Sequence, residues 1–342
     1  MLPAALVSLA LSFGPAPLHA PVPPATAYPL SPPPVVDATA WKTWSVPANA
    51  EIGSLDADRQ QPLASLTKLL TAILVVENSG LLDSSTISAT AAATPIGYIG
   101  QPATRQGEVW LVGQLLEMMM VQSSNDAAVA LAEHVSGSVA TFAQLMNARA
   151  AEIGMNDSQF RNPNGLDADG HFSSASDIIR LGLEALEYPE VLAVVRVRQV
   201  SFEIGGRQLE ITATNRDLGV YPEFLGLRTG DTLIAGQTIL AYVQAPRGDI
   251  LAVVLGSTNR REASRALLAW ASQALGPRDY LLAPAAQSAS GDTLPDWYRT
   301  RLEAALAPLP TGEPTPGRGS PLIDALDARL SELMPGVLGG GR

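Results

Sequence analysis

The chain has 342 residues, 46% of them hydrophobic and 16% charged, which fits a globular protein with a sizeable core, either one large domain or two smaller ones. Its formal net charge of −11 argues against a nucleic-acid partner and against broad adhesion to anionic lipid. The absence of cysteine excludes disulfides, zinc ribbons and thiol nucleophiles, and the three histidines (His19, His134, His171) have no metal-ligand spacing.

Residues 1–13 form a short apolar run, too short to span a bilayer comfortably, and the small residue Ala20 follows. This resembles a secretory signal without the usual basic start, so residues 1–20 are expected to direct export or to tether the chain to a membrane. Nine prolines between residues 15 and 34 fit an extended linker, placed at 21–40. Residues 44–62 read as short strands around turns at Gly53 and Asp56. A helix from 65 to about 78 follows, ended by Gly80. Residues 81–108 are mixed, with turn signals at Pro95-Ile96-Gly97 and Gln106-Gly107-Glu108. Two helical stretches fill 109–137, a third helix covers about 139–154, and residues 160–167 form a loop dense in turn formers. After a helix at roughly 174–187 come two hairpins, 194–213 turning at Gly205-Gly206 and 236–256 turning at 246–249. A helix from about 260 to 275 closes the compact part, 41–276. Residues 277–342 read as a proline- and glycine-rich tail with a short amphipathic helix at 322–333, for which a packing role suits the sequence better than a membrane surface.

The chemistry starts at Ser65 and Lys68. Three residues apart on a helix, they share a face, and apolar residues fill the rest of the run, as in a buried helix. Burial favours the neutral amine, which can take a proton from a serine. Lysine occurs only at Lys42 and Lys68 among 22 basic residues, and arginine cannot do the work of a base. The competing reading is a chance spacing with the amine reaching to water. Lys42, beside the linker, is expected to be the accessible one.

Two further signals follow in order, Ser123-x-Asn125 between two helices and Arg228-Thr229-Gly230 on a strand. The trio, with lysine leading the third element, is that of β-lactamases and penicillin-binding proteins. The sequence resembles the D-alanyl-D-alanine carboxypeptidases of the S11 serine peptidase family, low-molecular-weight penicillin-binding proteins. Ala64-Ser65-Leu66-Thr67-Lys68, Gln122-Ser123-Ser124-Asn125-Asp126-Ala127, Gly154-Met155-Asn156, Asn162-Pro163-Asn164-Gly165-Leu166 and Thr214-Asn215-Arg216 carry the resemblance, which covers about residues 40–276. It implies an α+β fold of the β-lactamase and penicillin-binding-protein kind, an antiparallel sheet flanked by helices plus a helical lobe. It also implies that Ser65 forms an acyl-enzyme, Lys68 is the base and Ser123 passes a proton to the leaving amine. Asn125 would hold the substrate amide, the Ser65 and Asp231 N–H groups the oxyanion, and Arg228 and Thr229, ahead of Gly230, the terminal carboxylate. Peptidoglycan stem peptides are the implied substrate and β-lactams the implied covalent inhibitors, with no metal or other cofactor.

The residues leave alternatives open. Ser123 and Asn125 also suit helix capping, Asn164-Gly165 reads as a structural turn, and Arg216 is either a surface charge or a second carboxylate ligand. Arg228 stands where the family has lysine. The last 66 residues are too short and proline-rich for the family's usual C-terminal β-domain. The same residues would serve a D,D-endopeptidase on cross-links, or persist in a catalytically silent cell-wall-binding protein. A β-lactamase is disfavoured because no carboxylate is marked for deacylation.

Overall fold

The computed structural model describes residues 31–95, 104–220, 224–244 and 248–274. The expected signal at 1–20, most of the linker, the tip of the second hairpin and the tail at 277–342 lie outside these residues. In chain order the elements are β1 (Ala40–Ser45), β2 (Ala50–Leu55), a 3₁₀ turn (Ala64–Leu66), α1 (Thr67–Asn78), β3 (Ser84–Thr86), α2 (Ala89–Ala92) and β4 (Val109–Leu111). Then come α3 (Val112–Val121), α4 (Asn125–Ser136), α5 (Val139–Glu152), α6 (Ala175–Ala185) and α7 (Pro189–Val195). The last are β5 (Gln199–Ile204), β6 (Arg207–Thr212), β7 (Phe224–Thr232), β8 (Gly236–Val243), β9 (Ile250–Ser257) and α8 (Arg260–Ala274).

Five antiparallel strands form the main sheet in the order β2-β1-β9-β8-β7, so β7 lies at an edge. Strand alternation sorts the central side chains. Ile239, Ala241 and Val243 of β8 and Ile250, Ala252 and Val254 of β9 pack under α8 with Leu267, Leu268 and Trp270. Leu240, Tyr242, Leu251, Val253 and Leu255 point the other way, into a second core shared with α1, α3, α4, α5, α6 and α7. Covered on both faces, β8 and β9 read as continuous apolar runs rather than alternating ones. Helix α1 lies in the second core, buried continuously from Thr67 to Val75.

Three local expectations need correcting. Residues 194 and 195 belong to α7, not to the first hairpin: Pro189 starts that helix, and its valines, strand-like by propensity, are buried all round. The hairpin itself, β5 and β6 around Gly205-Gly206, forms a separate two-stranded sheet. The chain also joins the domain before residue 41. Ser31 O accepts a hydrogen bond from Trp270 Nε1 at 2.8 Å, Asp37 accepts one from Thr258 N at 2.8 Å, and Thr39 N donates to Leu255 O at 2.9 Å. Finally, Lys42 is on β1, bonded to Glu51 at 2.8 Å and to Ser176 Oγ at 3.1 Å, and so is less accessible than its place beside the linker suggested.

Candidate active site

Ser65 lies in the 3₁₀ turn just ahead of α1, so its hydroxyl sits at the N-terminal end of the helix rather than within it. The turn is entered through Ala64, whose φ of 51° is uncommon for a residue with a side chain. Ser123, between α3 and α4, is also left-handed, with a φ of 71°. Two such non-glycine residues beside the Ser65 hydroxyl mark a backbone held in shape by its surroundings, as at functional sites. Gly230 on β7 lets the strand pass close by: a Cβ there would stand 2.8 Å from Ser65 N and 2.4 Å from Thr238 Oγ1.

Lys68 is fully buried, and its Nζ touches three groups: Ser65 Oγ at 2.8 Å, Asn125 Oδ1 at 2.7 Å and Asn164 O at 2.5 Å. Two of these only accept, so they claim two N–H bonds, whereas the serine oxygen can equally donate. A neutral amine therefore satisfies all three contacts, with its lone pair facing the Ser65 proton. Burial favours that form, pushing Lys68 well below the ordinary lysine range; the positive charge of Arg228 adds to the shift and Asp126 opposes it. Ser123 Oγ lies 3.0 Å from Ser65 Oγ and accepts from Arg228 Nη2 at 2.6 Å. Arg228 donates to Ser123 and Ser123 to Ser65, while Lys68 Nζ and Ser65 Oγ share the 2.8 Å bond in which a neutral amine would be the acceptor. The Arg228 guanidinium stands at one end of this chain and the Lys68 amine at the other.

The remaining expected residues divide. Asn125 opens α4, but its side chain does not cap that helix; Oδ1 meets Lys68 and Nδ2 donates to Pro95 O at 3.0 Å. Thr229, buried on β7, has its hydroxyl 3.1 Å from that of Thr214. Arg228 is 2% exposed, and besides Ser123 its donors hold Ser65 O at 3.0 Å and Met120 O at 2.6 Å. Three of its five N–H donors are thus held behind the two serines, one each on Nε, Nη1 and Nη2.

Two further arginines bear on the site. Arg216 is exposed. Arg260, at the start of α8, donates to Gly230 O at 3.0 Å and lies 3.6 Å from the carboxylate of Asp231. Burial is the main cause lowering the Arg260 pKa; Asp231 opposes it and the charge of Arg216 adds to it. Arg260 was missed from the sequence because only the antiparallel β7-β8-β9 course returns α8 to that strand end. Asn164 was read only as a turn residue, whereas its backbone carbonyl binds Lys68. Among the described residues, no cluster of His, Asp or Glu side chains could hold a metal ion.

The family model of the D-alanyl-D-alanine carboxypeptidases, peptidase family S11, matches residues 31–259. The chain belongs to that family. It is 31% identical to D-alanyl-D-alanine carboxypeptidase DacC of Escherichia coli over 309 residues, covering 84% of this chain and 73% of the relative. With DacF of Bacillus subtilis the identity is 32% over 203 residues, 58% of this chain and 52% of the relative, so the chain spans about half of DacF. Among solved structures, penicillin-binding protein D2 of Listeria monocytogenes in its ampicillin-bound form matches with a TM-score of 0.61 at 27% identity, covering 71% of this chain and 100% of that one. The fold is that of the penicillin-binding proteins, α+β with an antiparallel sheet between helices, as the three motifs implied.

Proposed function

We propose that this chain is an exported serine D-alanyl-D-alanine carboxypeptidase that trims peptidoglycan stem peptides and is acylated by β-lactams. The directed hydrogen-bond chain from Arg228 to Lys68 carries the reading. Ser65 Oγ attacks the carbonyl between the two terminal D-alanines while its proton passes to Lys68 Nζ. The oxyanion is held by the N–H groups of Ser65 and Asp231, a pairing supported by the close pass of β7 at Gly230 beside Ser65 N. Ser123 delivers a proton to the departing amine and takes back the one that Lys68 holds, so both end the acylation step as they began it. Water then attacks the acyl-enzyme, giving one proton to Lys68 and its hydroxyl to the acyl carbon, and Ser65 leaves protonated. The second N–H of Asn125 Nδ2 orients the substrate amide. Arg216 and Arg260, with the Thr229 hydroxyl, receive the terminal carboxylate; Arg228 polarises Ser123 from behind and keeps the Ser65 carbonyl in place. Supplying only charge and donors, arginine fills the position of the family lysine.

Incubation with a stem pentapeptide ending in D-Ala-D-Ala should release one D-alanine per peptide. Penicillin labelling without release would mean a silent penicillin-binding protein, and preferential cleavage of cross-linked dimers would mean an endopeptidase.

A further inference from the structure

Three consecutive carbonyls around the nucleophile are each held by a side-chain donor from a different element. Leu63 O accepts from Thr238 Oγ1 at 3.1 Å, Ala64 O from Thr67 Oγ1 at 2.8 Å, and Ser65 O from Arg228 Nε at 3.0 Å. The middle one matters most. A peptide unit is planar and trans, so the Ala64 C=O and the Ser65 N–H point in opposite directions from one rigid plane. Whatever fixes the Ala64 carbonyl also aims the Ser65 N–H.

Behind Thr67 stands His171, 5% exposed, with Nε2 2.9 Å from Thr67 Oγ1 and its ring edge-on to Phe160 at 5.7 Å. The backbone N–H of Arg161 donates to His171 Nδ1 at 3.1 Å, so that nitrogen carries no proton and Nε2–H is the tautomer of the neutral ring. Every proton then has one direction: Arg161 N–H to Nδ1, Nε2–H to Thr67 Oγ1, and Thr67 O–H to Ala64 O. We infer that His171 is a positioning residue for the oxyanion-binding N–H of Ser65, acting through Thr67 and the Ala64–Ser65 peptide plane. Ala64 is left-handed, and its carbonyl accepts from the Thr67 backbone N–H as well, so the hydroxyl adds a second hold on the plane. Gly165 packs against the same carbonyl, where a Cβ would come within 1.9 Å of Ala64 O and 2.9 Å of Thr67 Oγ1. Burial, the leading cause, lowers His171 to about 4, with Asp167 opposing and Arg161 adding, so the ring is neutral near pH 7.

The inference rests on the proposed role of Ser65, so the test begins with the parent protein, which must take labelled penicillin at that residue. His171→Phe keeps the ring and loses both nitrogens; Thr67→Val keeps the shape and loses the hydroxyl. Each should lower the acylation rate and kcat about tenfold, part of the roughly 10²–10³-fold cost of losing an oxyanion donor outright. KM should move less than about twofold, because the oxyanion develops only in the transition state. Affinity for a peptidyl boronic acid, whose tetrahedral adduct fills the oxyanion position, should fall in step with kcat. The double variant should be no slower than Thr67→Val alone, and Thr67→Ser, which restores the hydroxyl, should return to within about threefold of the parent. Unchanged acylation in a folded His171→Phe protein, losses that multiply in the double variant, or a loss confined to KM would each overturn the inference. If His171→Phe does not fold, Thr67→Val against Thr67→Ser decides it, and equal rates in that pair overturn it. A parent that takes no label would overturn the proposed function and this inference with it.

Discussion

The two faces of the main sheet bury their side chains equally well and in opposite ways. Under α8 the contacts are apolar, with Trp41 edge-on to Trp270 at 6.0 Å and Leu267 fully buried. On the other face, where the start of α1 meets β7, the interior holds Thr67, Lys68, Asn125 and Arg228, each hydrogen-bonded. Burying such groups costs free energy unless every donor and acceptor is met, and each partner here is placed by a different element. The apolar face contributes stability. The polar face draws on that stability to keep a lysine buried beside a serine, where burial pushes its pKa well below the ordinary range.

Substitutions should separate the two. The largest effect is expected at Lys68. Lys68→Arg preserves the charge but cannot accept a proton, and acylation by penicillin should fall by about 10²–10⁴-fold, followed by mass spectrometry over time. Retained acylation would remove Lys68 from the mechanism. On the other face, Leu267→Ala should cost ~2–5 kcal/mol of stability in denaturant titration. Its rate per folded molecule should stay within about twofold of the parent, since the site is remote; a matching loss of rate would erase the contrast between the faces.

Next comes the carboxylate. Arg216→Gln and Arg260→Gln should each reduce kcat/KM by about 10–100-fold on peptides with a free terminal carboxylate, the scale of one charge-assisted hydrogen bond, and by much less on amidated ones. Arg228→Gln should slow both substrates alike, because its side chain serves the serines. A selective loss on the acid would return the carboxylate to Arg228.

The smallest effect is a pH dependence of stability. Folding lowers His171 from 6.5 to about 4. Its stabilising contribution is therefore fully present above pH 6.5 and is lost as pH falls toward 4. About 2 kcal/mol should disappear between pH 7 and pH 5, read as the difference in unfolding free energy between the parent and His171→Phe. A difference that does not change with pH would mean that the ring is not held neutral.

How much of this was legible in the sequence follows from where each signal lies. Ser65 and Lys68 are three residues apart, so periodicity alone places them together, and an all-apolar run foretells burial. The Ser123 and Arg228 elements were legible as short motifs, and the packing of α1 against α4 and β7 was not. For that reason the motif alone does not reveal the bonds from Arg228 to Ser65 O, Met120 O and Ser123 Oγ. Arg260 and His171 had no local pattern at all: they reach the site through a strand-to-helix return and a turn-rich loop. The valines of α7 misled because propensity speaks for strand where burial on all sides supports a helix.

The central claim is that a buried, uncharged Lys68 makes Ser65 the nucleophile. Peptide mapping by mass spectrometry after brief exposure to penicillin tests it most directly, run in parallel on the parent, Ser65→Ala and Lys68→Arg. The account predicts one adduct on the peptide containing Ser65 in the parent and none in either variant, although both fold. An adduct on any other residue, or equal labelling of Lys68→Arg, would contradict it.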